Sequence, residues 1–187
     1  MKYYKKLEGE KIYLSPMNMN DAGKYAEWLN DFHTTDYIGR SGHLITEEME
    51  REWLQKHNEG EPLFAIIEKE GDKLIGNTGI HNISPIDRHA IFGIFIGDKE
   101  SRNKGYGEET IKLVLDFGFN YLNLNSIELT VYCFNKRAIA CYKKCGFKEC
   151  GIVRKAKYLN GKYQDIMHMD ILAEEFKGNY IKNKNNY

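Results

Sequence analysis

The spacing of hydrophobic residues changes along the chain from a helical repeat to runs that suit strands. Near the N-terminus, apolar residues recur on one helix face at Ala22, Tyr25, Ala26 and Leu29, and Asn20 is a suitable cap for that helix. This stretch therefore predicts a first amphipathic helix.

A second helix is predicted from Glu47 to about His57, with Thr46 as its cap. The helix is strongly acidic, through Glu47, Glu48, Glu50 and Glu52. Such a run of carboxylates would attract a cationic substrate, but acids near a helix N-terminus also complement the helix dipole on a solvated face. We favour the solvated face.

Strand-like runs follow these helices. Apolar runs at 63–67, 74–80 and 90–96 predict three strands, and the alternation of apolar and polar residues at 127–133 predicts another. Asn160-Gly161 lies between two further strand-like runs and predicts a tight hairpin.

Helical spacing returns twice between the strands. It covers residues 111–122 and then 135–145, where Gly146 suits the end of a helix. The order of elements predicts an α+β (mixed α/β) fold, in which about four helices flank a central, mostly antiparallel twisted sheet.

Composition narrows the class of protein. The 187 residues carry 27 Lys and Arg against 27 Asp and Glu, a balance that argues against a nucleic-acid binder. No run of about 18 apolar residues suggests a membrane span, and the N-terminal stretch lacks the apolar core of a signal peptide. We expect a cytoplasmic protein with one domain over residues 1–176 and a polar, frayed tail over 177–187.

The four cysteines, Cys133, Cys141, Cys145 and Cys150, do not have the spacing of a zinc site. The six histidines include no pair at the helical spacing of metal ligands. We therefore expect small, buried, reduced thiols and no metal.

The most informative segment joins the strand at 90–96 to the helix that follows. It contains Arg102-x-x-Gly105-x-Gly107, in which glycines let the backbone approach a phosphate and the free N–H groups of a helix N-terminus attract it. A Walker A loop is excluded because Glu108 follows the last glycine, and a dinucleotide fingerprint is excluded by Thr110. A plain tight turn is the alternative interpretation.

A second motif makes the first specific. It has the form Asn135-x-x-Ala138-x-x-x-Tyr142-x-Lys144-x-Gly146-Phe147. Together the two motifs resemble the GNAT superfamily of acyl-CoA-dependent N-acetyltransferases. Residues 117–125 and 160–165 are similar to the branch that includes ribosomal-protein and spermidine acetyltransferases. The resemblance covers roughly residues 10 to 176.

This resemblance implies a splayed pair of parallel strands, 91–96 and 127–134, that opens a slot for acetyl-CoA. The implied cofactor-binding residues are Ile94, Phe95 and Ile96 through their backbone, then Arg102, Asn103, Lys104, Gly105, Tyr106, Gly107 and Glu108 around the pyrophosphate, and Asn135, Ala138, Tyr142 and Lys144 on the opposite side. Relatives are often homodimers, so a homodimer is a further expectation.

The implied reaction is direct attack of a neutral amine on the thioester, through a tetrahedral intermediate. Tyr142 occupies the general-acid position of the family, although a core aromatic is the alternative interpretation. Many relatives carry a glutamate where this chain has Ile91, so we assign the base to His81, for which a structural histidine is an equal alternative.

Two functions follow. The first is an N-acetyltransferase that moves an acetyl group from acetyl-CoA to a primary amine, in a peptide N-terminus, a polyamine or an amino sugar. The second is an acyl-CoA-binding regulatory or partner-binding protein with weak or lost catalysis, which the loss of the glutamate at Ile91 suggests. In this family the two N-terminal helices and the loop at 31–43 shape the acceptor site. Neither nucleic acid nor membrane is an expected partner.

Overall fold

A computed structural model describes residues 2–57 and 60–184. Its eight strands form one sheet in the order β1-β2-β3-β4-β5-β6-β8-β7. The pairings are antiparallel except between β5 and β6, which are parallel. The strands are β1 Leu7–Glu8, β2 Ile12–Pro16, β3 Leu63–Glu68, β4 Lys73–Ser84, β5 His89–Ile96, β6 Ser126–Tyr132, β7 Lys148–Leu159 and β8 Lys162–Leu172. The predicted mixed fold with a mostly antiparallel sheet is confirmed.

Five helices accompany the described part of the sheet: α1 Ala22–Leu29, α2 Phe32–Thr35, α3 Glu47–His57, α4 Tyr106–Asn120 and α5 Lys136–Lys144. The single turn α2 was not predicted, because Phe32–Thr35 is too short to show a period. Thr46 caps α3 as predicted, with its hydroxyl 3.2 Å from the N–H of Met49. Before α1 the capping differs, because Asn18 caps a 3₁₀ turn over Met19–Asp21.

The core lies on both faces of the sheet, and β3 shows the division. Phe64 and Ile66 belong to a cluster with α4, whereas Ala65 and Ile67 pack with Tyr25 of α1 and with α3 on the opposite face. Alternation along a strand sends neighbouring side chains to opposite faces, so a strand buried on both faces is apolar throughout. The described helices thus cover β2 to β5 from two sides.

The parallel pair separates halfway along its length. β5 and β6 are in register only at three positions, from His89 opposite Ser126 to Ile91 opposite Glu128. Beyond this point β5 continues to Ile96 without pairing to β6. The remaining halves of the two strands therefore form the sides of a V-shaped cleft.

The C-terminal segment differs from the frayed tail expected over 177–187. Residues 177–184 dock on the domain, with Ile181 only 5% exposed. The buried Asp116 accepts hydrogen bonds from the N–H groups of Tyr180 and Ile181, and Lys184 lies 3.0 Å from the same carboxylate. Two other polar side chains of this segment also have partners: Asn183 accepts from the N–H of Glu8 at 3.0 Å, and Lys182 lies 3.0 Å from Glu10. Residues 185–187 lie outside the described residues.

β7 and β8 form a long hairpin at the far side of the sheet. Its turn, Asn160-Gly161, has positive φ at both residues, 47° and 76°, as the predicted tight hairpin requires. The residues of β7 are almost all exposed. Within the ranges described, no helix is long and apolar enough to cross a membrane.

Candidate active site

The cleft between β5 and β6 opens into a cavity of about 810 Å³. Its walls come from the open half of β5, the end of β6, the start of α4 and one side of α5, and they continue between α2 and α3. Sequence-distant elements therefore meet around one space, because the parallel strands separate there.

The polar groups of β5 alternate between its two edges. The N–H of Gly97 bonds the carbonyl of Ile75, and the carbonyl of Gly93 accepts from the hydroxyl of Thr78 at 2.8 Å, so odd-numbered residues face β4. The groups of Ile94 and Ile96 consequently face the cleft. Those of Phe95 face β4, and its ring packs against Trp28. Of the three residues expected to bind pantetheine through their backbone, two are oriented for it.

A row of free backbone donors lies at the end of the cleft. Among the described residues, the N–H groups from Asn103 to Glu108 have no hydrogen-bond acceptor, and Glu109 is the first to bond back, to Gly105. Gly105 has φ of +87°, and a Cβ on Gly107 would meet no atom within 4 Å. Successive free N–H groups at a helix N-terminus form an anion site. The N–H of Arg102 is different, because it bonds the carbonyl of Lys99.

The Arg102 side chain joins the loop to the N-terminal part of the chain. Its guanidinium donates to the carbonyl of Ile96 at 3.2 Å, to the hydroxyl of Thr34 at 3.0 Å and to the carbonyl of His33 at 3.4 Å. Burial, together with the positive charge of Arg137, lowers the pKa of Arg102. The Arg102 guanidinium thus positions α2 against the cleft.

Two more predicted residues, Tyr106 and Lys104, make their contacts outside the cavity. Tyr106 is buried in the core and donates its hydroxyl to Glu68, which raises its pKa to about 12. The carbonyl of Lys104 accepts from Lys11 at 3.4 Å. Neither side chain lines the cavity, whereas Asn103 and Glu108 do.

On the opposite wall, Asn135 begins α5. Its side-chain oxygen accepts from the N–H of Ala138 at 3.2 Å, which fixes the side chain as a helix cap. The side-chain amide remains a free donor among the described residues. Asn135, Ala138 and Lys144 all line the cavity, so the structure brings this predicted group together with the α4 loop.

Tyr142 points into the same cavity from α5. Its ring makes edge contacts with Phe92, at 6.4 Å between centroids, and with Phe147, at 5.9 Å. Within the described chain its hydroxyl has no hydrogen-bond partner, and burial raises its pKa well above the usual value. A half-buried phenol held by aromatic packing, with its donor free, is suited to protonate a leaving group.

His81 lies beside β5 with a carboxylate behind it. Its Nδ1 is 3.1 Å from Oε2 of Glu61, and the other oxygen of Glu61 accepts from the N–H of Asn82 at 2.8 Å. Its Nε2 is turned toward β5, because a Cβ on Gly93 would lie 3.3 Å from that atom. Glu61 was not predicted, since it sits in a polar turn before β3 without a motif. A histidine oriented by a carboxylate is the arrangement of a general base.

Ile91, which stands where relatives carry a glutamate, is the register partner of His81 across β4 and β5. Its side chain therefore shares a face with His81. Over the ranges that the structure describes, no group of three or more His, Cys, Asp or Glu residues is arranged to hold a metal ion.

A cleft with a row of free N–H groups at one end suits a long ligand that carries an anionic group. The acetyltransferase (GNAT) domain family matches residues 11–148. The chain is 36% identical to a spermidine N(1)-acetyltransferase of Vibrio cholerae over 120 residues, which are 64% of this chain and 68% of that protein. It is 32% identical over 181 residues to a protein named Probable N-acetyltransferase YjcK of Bacillus subtilis, with 89% of this chain and 96% of that one covered.

The structure matches a solved structure of spermidine N-acetyltransferase from Vibrio cholerae in complex with CoA and spermine. The TM-score is 0.81 at 29% identity, with 88% of this chain and 97% of that chain covered. The chain therefore belongs to the GNAT family. It is an acyl-CoA-dependent N-acetyltransferase whose acyl donor is acetyl-CoA.

Proposed function

We propose that this protein transfers the acetyl group of acetyl-CoA to a primary amine, in a polyamine, a peptide N-terminus or an amino sugar. The observation that carries the proposal is the convergence on one cavity of Tyr142, His81 and the glycine loop, whose free N–H groups include those of Asn103, Gly105, Gly107 and Glu108. Spermidine acetyltransferases among the relatives support an amine acceptor.

In this proposal the row of N–H groups binds the pyrophosphate, and the inward groups of Ile94 and Ile96 bond the pantetheine arm as an added strand would. Nε2 of His81 takes the proton from the attacking amine, directly or through water, while Glu61 holds the ring. The amine nitrogen bonds the thioester carbon, the intermediate collapses, and the CoA sulfur leaves with the proton of the Tyr142 hydroxyl.

The test is release of CoA thiol by the purified protein with acetyl-CoA and a panel of polyamines, peptides and amino sugars. Turnover with at least one class, with the acetyl group found on its nitrogen, supports the proposal. The alternative, an acyl-CoA-binding protein with weak or lost catalysis, is favoured by Ile91 at the position of the usual glutamate. Tight acetyl-CoA binding without transfer to any amine would support that alternative.

Two expectations about the whole chain belong to the same proposal. A single sheet through the described residues supports one domain over residues 1–176. Exposed Ile152 and Val153 on β7 support a homodimer, since exposed apolar side chains on a strand favour association. The mass in solution, measured for the protein and for its Val153→Lys variant, tests the second expectation.

A further inference from the structure

Glu50 is a buried carboxylate without a partner. It is 5% exposed and lines the cavity of the candidate active site. Among the described residues, the Glu50 side chain makes no hydrogen bond, and no cationic side chain lies within ion-pair distance of its carboxylate. An ionised carboxylate away from water is unfavourable unless a cation or donor pairs with it. The Glu50 carboxylate thus borders the cavity without a partner among the described residues, and it is available to a cationic group of a bound molecule.

The position of Glu50 on α3 separates it from the other acids of that helix. Glu47 pairs with Arg51 at 2.7 Å, while Glu48 and Glu52 are exposed. Glu50 instead shares a helix face with Trp53 and Leu54, three and four residues later, and Leu54 is fully buried. The solvated-face interpretation of the acidic run holds for these three acids and fails for Glu50.

We propose that Glu50 and Trp53 form an ammonium subsite, which anchors a second, non-reacting cationic group of the acceptor. The inference rests on the proposed acetyl transfer and assigns the acceptor end of its cleft. Trp53 is half-buried, lines the same cavity and stacks on His57 at 4.5 Å between ring centroids. A carboxylate beside an indole ring attracts an alkylammonium group by charge and by cation–π interaction.

The charges around Glu50 leave room for this role. Burial raises the pKa of Glu50, and the positive charges of Arg40 and His57 only partly oppose it. Arg40 is exposed on the loop after α2, and neither group lies within ion-pair distance of Glu50. A bound ammonium would make the close contact with the Glu50 carboxylate that neither Arg40 nor His57 makes.

Geometry assigns Glu50 to anchoring rather than to proton transfer. The base position beside β5 is filled by His81, whose Nε2 is turned toward Gly93. Glu50 belongs to α3, which packs on α1, so it reaches the cavity from a different element than His81 does. An acceptor that spans the cavity would place one amine at His81 and another at Glu50.

The experiment compares acceptors of equal chain length: cadaverine, which carries two amines, and pentylamine and aminopentanol, which carry one. With wild-type protein and acetyl-CoA, we expect a KM for cadaverine at least about tenfold below that for either monoamine, since a charged contact of this kind changes affinity about tenfold. Glu50→Gln should raise the cadaverine KM about tenfold and leave the pentylamine KM within about twofold. The matched control Glu52→Gln, on the exposed side of α3, should change neither.

Equal KM values for diamine and monoamines in the wild type would overturn the subsite. So would a fall in kcat by the same factor for all acceptors in Glu50→Gln, because that is the effect of losing a base. If no amine is acetylated, the proposed transfer fails, and the subsite is then tested by calorimetry with CoA-loaded protein. Cadaverine binding that Glu50→Gln abolishes and Glu52→Gln retains would support it, and no cadaverine binding by the wild type would overturn it.

Discussion

The Nδ1 atom of His81 lies 3.1 Å from Oε2 of Glu61, and this contact orients the ring toward β5. With Nδ1 bonded to a carboxylate, the imidazole carries its proton there and presents Nε2 as the acceptor. Glu61 is itself held, because the N–H of Asn82, and then His81, lower its pKa below the usual range. The carboxylate therefore stays ionised across the neutral range.

We expect Glu61→Gln to reduce kcat about tenfold and His81→Gln about a hundredfold, since a positioned base contributes about 10²–10⁴ in rate. The KM for acetyl-CoA should not change. The measurement is thiol release under saturating acetyl-CoA, with Glu70→Gln, an exposed acid in the turn after β3, as the control. Full activity of His81→Gln would exclude it as the base.

Tyr142→Phe should lower kcat about a hundredfold and leave acetyl-CoA binding intact, because only the hydroxyl is lost and the ring packing on Phe92 and Phe147 remains. Burial raises the Tyr142 pKa, so the phenol remains protonated as pH rises. The profile of kcat against pH should accordingly show no descending limb from this group below about pH 10. Tyr121→Phe, at an exposed tyrosine, is the control; equal activity of both variants would remove the assigned role.

Gly107→Ala separates binding from stability. A Cβ there meets no atom of the protein within 4 Å, and alanine is about 1 kcal/mol more favourable than glycine within a helix. We expect an equal or higher melting temperature together with a several-fold higher KM for acetyl-CoA, since the methyl group enters the space beside the free N–H groups. An unchanged KM would mean that the pyrophosphate does not approach this residue.

Asp116→Asn should destabilise the protein by about 1–3 kcal/mol at neutral pH, the usual range for hydrogen bonds to a charged group. Desolvation alone would raise the pKa of Asp116, but bonds from Asn120, the N–H of Ile181 and Lys184 lower it overall. A group whose pKa is lowered by folding stabilises the folded state at pH values above its pKa in the unfolded chain, which is about 4. That contribution is lost as the pH falls through its pKa in the folded protein. Urea unfolding at several pH values measures the difference.

In the same series, Lys184→Met should lower the free energy of unfolding by less than Asp116→Asn does. The backbone N–H groups of residues 180 and 181 still bond the Asp116 carboxylate in that variant. An Asp116→Asn effect that persists unchanged in acid would contradict the assigned charge.

Unlike Asp116→Asn, Glu50→Gln should stabilise the unliganded protein, by roughly 1 kcal/mol at neutral pH. The substitution removes a buried carboxylate that serves binding rather than stability. Burial raises the pKa of Glu50. A group whose pKa is raised by folding favours the folded state most at pH values below its pKa in the unfolded chain, which is about 4. This advantage is lost as the pH rises through its pKa in the folded protein. The gain in melting temperature should therefore shrink in acid. A lower melting temperature at neutral pH would mean that Glu50 is paired in solution.

Much of the fold was readable because local periodicity reports burial. The alternation at 127–133 and the helical spacing at 111–122 correspond to β6 and α4. The glycine loop and the motif from Asn135 to Phe147 were visible because backbone approach to a phosphate and a capped helix constrain residue types locally. Phe32–Thr35 was missed because one helical turn has no period to detect.

The sequence by itself thus determined most of the longer helices and strands from residue 22 onward and the family of the cofactor loop, because these depend on neighbours within about one helix or strand. Only the tertiary structure decided that Glu61 stands behind His81, that Arg102 reaches Thr34, and that Glu50 alone among its acidic neighbours faces the cavity. Those relationships join residues distant in the chain or depend on which face a partner covers. Local patterns carry no information about either. The space that these side chains share exists only because β5 separates from β6 in the folded protein.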